Sequence, residues 1–265
     1  MGFDASVVLG RTALRVGKIG VGASYGVSAR AIERAFHERG VNYFYWGSIR
    51  RRGMREAVSR LARAGRERIV VALQSYDRTG LLMAPFLRRG LRALAIDRAD
   101  VLILGWHDRP VSRRILDAAL TLKERGLVAH LAISGHDRAF MGRLASDPAQ
   151  PFDILMFRYN AAHRGAETEI LPRLAAGGRP GTIAYTATRW GQMLDPKRMP
   201  PGERTPAPAD CYRFALSDPR VDMVLAGPAS DAQFQAALEA LDGGPLAPHE
   251  QERMRRIGAH VHNGG

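Results

Sequence analysis

Three short stretches set ionisable side chains beside aromatic ones: Tyr43-Phe44-Tyr45-Trp46, Trp106-His107-Asp108 and His136-Asp137. A phenol and an imidazole brought together can do acid–base chemistry, because histidine titrates near neutrality and a phenol holds a transferable proton. One reading makes Tyr45 the acid and His107 the base or an orienting group. The alternatives are that Tyr45 packs within the aromatic cluster and that His107 is a loop histidine bonded to Asp108. His136-Asp137 resembles a dyad on paper, yet Asp137 is equally suited to cap a helix, and the cap is the preferred reading. Arg50-Arg51-Arg52 is the one true run of basic residues. A solvated surface accounts for at least two of the three, and Arg50 is the candidate to grip a carboxylate or phosphate bidentately.

Other chemistries find little footing. Histidines and carboxylates are scattered, with no His-Glu-x-x-His spacing, so no metal site is expected. His260-Val261-His262 stands at the extreme end, where a frayed tail is expected. There is no Gly-x-Ser-x-Gly elbow for a serine nucleophile. Cys211 is the sole cysteine and sits among Tyr212, Phe214 and Ala215, which marks it as core.

These side chains must be positioned by regular elements, and the chain alternates two patterns. Short apolar runs at 18–23, 41–45, 69–74, 100–104, 129–134, 153–157, 182–186 and 222–226 read as buried parallel strands. Segments of helical period lie between them, at 29–39, 54–64, 81–94, 112–125, 138–145, 167–175, 209–216 and 231–241. Ser28, Ser112, Asp137 and Ser230 stand where helices begin, and Gly40 and Gly126 where they stop. Eight strand-then-helix units predict an α/β fold, a closed (β/α)8 TIM barrel formed as one domain over residues 1–265. An N-terminal β-hairpin turning at Gly10-Arg11-Thr12 is expected to plug its lower mouth. An extra C-terminal helix follows from Pro248. The irregular stretch 189–208, with five prolines after Leu194, follows strand seven and is the expected lid or substrate loop.

Length and composition agree. The 265 residues are 46% hydrophobic and 25% charged, enough to bury a large core and too apolar for wholesale disorder. The net charge of +13 comes almost entirely from arginine, since lysine occurs only at Lys18, Lys123 and Lys197. The arginines are spread at helical spacing and not gathered in a stripe, so no nucleic-acid partner is expected. No apolar run is long enough to span a membrane, and the start carries no signal-peptide pattern, so a soluble cytoplasmic protein is expected.

Several pieces, in order, resemble the aldo/keto reductase family. Leu9-Gly10-Arg11-Thr12-Ala13-Leu14 with Ile19-Gly20-Val21-Gly22 is similar to its opening hairpin and first strand, and Gly40-Val41-Asn42-Tyr43-Phe44 to its second. Arg125-Gly126 with Ala132-Ile133-Ser134-Gly135, then Tyr159-Asn160, Ile183-Ala184-Tyr185, and Arg213 to Pro219 leading into Val224-Leu225-Ala226-Gly227, complete the series. The resemblance implies a barrel that reduces carbonyls with NADP(H), using an aspartate, a tyrosine, a lysine and a histidine.

None of the four stands in its place. The aspartate position falls on Tyr45, the tyrosine on Arg50, the lysine on Gln74 and the histidine on Gly105, with His107 two residues on. Neutral Gln74 cannot lower a phenol's pKa as an ammonium does, and a guanidinium cannot deliver a proton. Of the implied cofactor contacts, Ser134, Tyr185, Gly227 and Ser230 remain, whereas Gly135, Met156 and Ala237 replace polar partners. Tyr45, His107, Arg50 and Gln74 are therefore the candidate catalytic positions. Tyr25, Trp106, Arg158 and Trp190, near strand ends at the same mouth, are the candidate substrate contacts. Gly105 should leave a hole that His107 or Trp106 could fill.

Three readings follow. The first is an enzyme of reductase ancestry with a rebuilt site, acting on a small and in one version anionic molecule by acid–base or altered redox chemistry. The second is an NADP(H)-dependent carbonyl reductase with a substitute proton donor. The third is a non-catalytic ligand-binding or regulatory barrel. No membrane partner is expected, and the oligomeric state is not set by the sequence.

Overall fold

The computed structural model describes residues 2–3, 6–22, 26–47, 52–174 and 177–264. Two expected site residues, Tyr25 and Arg50, lie outside the described residues, as does Arg51.

The hairpin comes first. Strands β1 (Val7–Val8) and β2 (Arg15–Val16) pair antiparallel around a 3-10 turn at Gly10–Thr12. Gly10 takes φ +51° and lies so close to the Gly181 backbone that a Cβ would meet its nitrogen at 2.1 Å. Leu9 and Val16, both fully buried, join the side chains inside the barrel and close its amino-terminal end.

The alternation then runs without interruption. Strand β3 (Ile19–Gly22) is followed by α1 (Ala29–Arg39), β4 (Tyr43–Trp46) by α2 (Arg52–Gly65), and β5 (Val70–Ser75) by α3 (Met83–Leu94). Next come β6 (Ala99–Leu104) with α4 (Arg113–Glu124), β7 (Val128–Gly135) with α5 (Arg138–Ser146), and β8 (Ile154–Arg158) with α6 (Ala166–Glu169). Strand β9 (Gly181–Tyr185) leads to α7 (Pro208–Leu216), and β10 (Met223–Ala226) to α8 (Asp231–Leu238), α9 (Ala240–Gly243) and the terminal α10 (Pro248–His262). The eight strands β3 to β10 pair in parallel and close on themselves through β10 and β3. This is the expected (β/α)8 barrel with its hairpin and extra helix.

Successive side chains on a strand face opposite ways, which divides the core in two. Tyr43, Ala72, Val101, Ile103, Ala132, Ile154, Met156, Ile183 and Met223 fill the barrel interior. Phe44, Leu73, Leu102, Ile133 and Leu155 face outward and pack with Ile32, Val58, Leu91, Ile115 and Met141 of the helical ring. Cys211 is core, as expected, and burial pushes its thiol up to about 12.

Several expectations need correction. The helix expected over 167–175 is the single turn α6 followed by a 3-10 turn at Leu171–Arg173, because Pro172 offers no N–H to continue the ladder. The helix expected to run to 241 stops at Leu238. Ser28, Asp137 and Ser230 do cap helices, accepting from the backbone N–H groups of Ala31, Phe140 and Gln233. Ser112 precedes α4 in extended conformation, but its hydroxyl makes no cap bond. His260-Val261-His262 is not frayed: it completes α10, Val261 is fully buried, and the His262 ring packs edge-on to His163 at 5.1 Å. Among the described residues, no helix is long and apolar enough to cross a membrane.

Candidate functional site at the carboxyl-terminal mouth

The inward-facing positions of the strands converge at the carboxyl-terminal mouth. Gly22 pairs with Tyr45, Gln74 with Ile103, Ser134 with Met156, and Tyr185 with both Arg158 and Leu225. They enclose a cavity of about 360 Å³. Of the expected site residues, Tyr45, Gln74, Trp106, Ser134, Tyr185, Trp190 and Gly227 line it, whereas His107, Arg158 and Ser230 do not.

One wall is a chain of rings. Tyr76 meets Trp106 at 5.8 Å between centroids, Trp106 meets His136 at 6.1 Å, and His136 meets Tyr185 edge-on at 6.0 Å. The Tyr185 hydroxyl donates to the Gly135 carbonyl at 3.1 Å, and burial raises its phenol pKa. Such offset and edge-on rings favour flat or aromatic guests. Tyr76 was missed as a site residue from sequence, and His136 was weighed only in a dyad with Asp137 and set aside for the helix cap. Each lies two residues beyond an inward-facing position, Gln74 and Ser134, so strand parity alone would have found them.

The hole at Gly105 is filled, but by neither expected residue. A Cβ at position 105 would stand 1.9 Å from Gln74 Nε2 and 2.7 Å from the Tyr76 ring. The amide thus occupies the volume that a side chain at position 105 would claim. Its Oε1 is buried and, among the described residues, finds no hydrogen-bond partner.

His107 is turned away. Trp106 adopts φ +57°, which interrupts the alternation after β6, so Gly105 and His107, two residues apart, do not share a face. The His107 backbone N–H donates to the Ser134 carbonyl. Its Nε2 lies 2.9 Å from Arg78 Nη1, while Arg78 Nη2 donates to the carbonyls of Gly105 and Trp106. Arg78 therefore clamps the loop that carries Trp106. Burial, then the Arg78 charge, pushes the His107 imidazole down to about 4. It is a neutral acceptor in the wall.

The imidazole that faces the cavity is His136. Burial, with help from the Arg158 charge, lowers its pKa, and Asp108 opposes the shift. Asp108 accepts the backbone N–H groups of His136 and Asp137, which hold its carboxylate below the usual range although burial would raise it. His136 is thus a neutral ring on an anchored turn, able to accept a proton.

Behind His136 lies a small recess shared by Arg158, His163 and Arg138. Arg52, the described member of the arginine run, is exposed and pairs with Glu56 at 2.8 Å. On the other side, Trp190 reaches the cavity from the start of the 189–208 loop. That loop contains two 3-10 turns, Gln192–Leu194 and Pro196–Arg198. Trp106, Thr186, Arg189 and Trp190 all take φ between +50° and +60°. Left-handed non-glycine residues cost about 1–3 kcal/mol each, and here they gather around the mouth. Asn160 helps hold this geometry, donating from Nδ2 to the Thr186 carbonyl at 2.8 Å. Ser134 Oγ accepts from the Trp106 N–H at 3.2 Å, and Ser230 Oγ is committed to its helix cap. Among the described residues, no group of three or more His, Cys, Asp or Glu side chains could hold a metal ion.

Fold and site together define a (β/α)8 barrel with an aromatic-walled cavity where the strands end. Solved structures place that barrel more closely. An aldo-keto reductase from Bacillus halodurans matches it in apo and holo forms, at 20% identity over 95% of either chain, with TM-scores of 0.75 and 0.76. A provisionally named aldo-keto reductase from Pseudomonas aeruginosa matches at 18% identity over 96% of this chain and 95% of its own, with a TM-score of 0.68. The fold is that of the aldo-keto reductases. No protein-family model matches the chain, and no curated protein sequence does.

Proposed function

We propose that the chain descends from the aldo-keto reductases and carries a rebuilt active site that works by acid–base chemistry on a small organic molecule. The observation that carries this reading is that a neutral imidazole, His136, lines the mouth cavity together with the Tyr45 phenol and the Gln74 amide. His136 serves as the base and Tyr45 as the hydroxyl donor. His107 keeps the wall in place through Arg78. Fold alone does not assign this chemistry; the side chains do.

The residues present do not fit NADP(H), the cofactor that the resemblance implies. At the nicotinamide end, Met156 and Gly135 bring no polar side chain, and the Gly135 carbonyl is taken by Tyr185. At the phosphate end, residues 227–234 read Gly-Pro-Ala-Ser-Asp-Ala-Gln-Phe, without a lysine or arginine. The first-turn carboxylate of α8, Asp231, accepts from both the backbone N–H and the hydroxyl of Ser28 at 2.7 Å. Gln233 Oε1 accepts the Ala229 N–H, and Gly26 lies so close to the Ala229 carbonyl that a Cβ would collide at 1.9 Å. An anion site needs free N–H groups and positive charge, and this helix start offers an acid already bonded across to the neighbouring loop.

The test is proton exchange without cofactor. Wild-type protein is incubated in D2O with a panel of small oxo and hydroxy acids, and loss of carbon-bound hydrogen is followed by 1H NMR. Exchange on at least one compound is expected, falling about 10²- to 10⁴-fold in His136→Gln and clearly in Tyr45→Phe. Equal exchange in wild type and His136→Gln would sink the reading. Absence of exchange together with tight ligand binding would leave a binding barrel instead.

A further inference from the structure

We infer that the recess behind His136 is an anion subsite, in which Arg158 takes the carboxylate of the ligand whose body lies in the mouth cavity. This rests on the reading of that cavity as a ligand site, and it adds the chemical class: a small, flat organic acid.

Arg158 ends β8 facing inward, half-buried, and pairs in register with Tyr185. Among the described residues, its guanidinium has no hydrogen bond to a protein acceptor and no carboxylate partner. The neighbouring basic groups differ in this respect. Arg138 pairs with Glu169, and Arg189 donates to the Val261 carbonyl at the end of α10. A half-buried guanidinium without a counter-ion is costly, so positions of this kind are normally paired.

The surroundings deepen the imbalance. The recess is lined by Arg138, Arg158, His136 and His163, and, among the described residues, by no aspartate or glutamate. The nearby carboxylates are spoken for: Glu169 by Arg138, and Asp108 by two backbone N–H groups. The positive field is felt by the imidazoles, since Arg158 helps lower the pKa of both His136 and His163. The result is a local excess of positive charge at the inner edge of the mouth, in a setting where an incoming anion is only weakly screened.

Shape selects among anions. The recess has room of about 10 Å³, enough for one water-sized group. In the proposed pose one carboxylate oxygen meets Arg158 and the ligand passes His136, the residue common to both spaces. His136 lines both spaces, so a ligand held there lies against the proposed base. Inorganic phosphate would place one oxygen there as well, but it brings no flat body for the cavity beyond. The rings of Tyr185, Trp106 and His136 then receive the flat remainder.

Trp106 and Trp190 report on occupancy, since both line the cavity and are 63% and 66% exposed. The probes are phenylacetate, its neutral isostere phenylacetamide, and inorganic phosphate, titrated by tryptophan fluorescence at low ionic strength. Phenylacetate is expected to bind about tenfold or more tighter than the amide, with phosphate a poor competitor. Arg158→Leu should abolish that preference and leave amide binding unchanged. Arg158→Lys should keep part of it. Phenylacetate should also raise the melting temperature of wild type and not of Arg158→Leu. The variant by itself should melt no lower than wild type, because it removes an unpaired charge. Equal binding of acid and amide by wild type overturns the subsite and leaves the cavity reading standing. So does an undiminished preference in Arg158→Leu. Binding of neither probe overturns both, and phosphate outcompeting phenylacetate overturns the choice of carboxylate.

Discussion

The Gln74 amide occupies the space above Gly105, standing 1.9 Å from where a Cβ on that residue would be. Two positions at which the resemblance expects a lysine and a histidine have thus become mutually dependent: the Gln74 amide on β5 is accommodated by the absence of a side chain at Gly105, just after β6. Gly105→Ala should therefore destabilise by about 1–3 kcal/mol through overpacking. Gln74→Ala in the same chain should return part of that loss, the contact with the Tyr76 ring remaining. A double-mutant cycle in urea reads the coupling. Additive effects would show that the two positions do not share the volume.

Acid should weaken the fold through two imidazoles. His107 and His163 are both pushed from 6.5 down to about 4, chiefly by burial. Between those values the unfolded chain binds protons that the native state refuses, so stability rises with pH in that window. It is complete above about 6.5 and is lost progressively as pH falls toward 4. Urea midpoints measured from pH 7 to 4.5 should fall, and His107→Asn should flatten the slope whatever it does to stability at neutrality. An unchanged slope would show that His107 takes up no proton on unfolding.

At the opposite end of the barrel, Arg179 holds the buried carboxylate of Asp222 through two bonds of 2.6 and 2.9 Å. Asp222 also accepts the Thr182 N–H at 2.9 Å, which ties β9 to the start of β10. Arg179→Met leaves this carboxylate with its backbone donor and no counter-charge. A loss of about 3 kcal/mol is expected. Because the pair is remote from the mouth, phenylacetate binding by the folded variant should be unaltered. A change in affinity without a change in stability would reverse this assignment.

NADPH should neither gain fluorescence on mixing with the protein nor raise its melting temperature, even at hundreds of micromolar. The expectation follows from the start of α8, which has an acid and no basic side chain, from the bond between Asp231 and Ser28, and from the Tyr185 hydroxyl on Gly135. Saturable enhancement of nicotinamide fluorescence would restore the carbonyl-reductase reading.

Periodicity is local, and so the elements were legible before any coordinates. Apolar runs such as 69–74 and 100–104 read as strands covered on both faces, and eight of them alternating with helical segments favoured a closed barrel over an open doubly wound sheet. The family resemblance singled out Tyr45, Gln74, Ser134 and Tyr185, and alternation along their strands brings all four to the cavity. Parity holds only while the backbone stays extended. Beyond β6 it fails at Trp106, whose left-handed turn sends His107 to Arg78 and out of the site. Which side chain fills which volume is likewise a property of neighbours distant in the chain: Gln74 over Gly105, Tyr185 on Gly135, Arg158 behind His136. Sequence thus determined the barrel and its inner face, because those follow from spacing along one segment. Tertiary structure decided which imidazole meets the cavity and which guanidinium stands unpaired, because those follow from packing between segments.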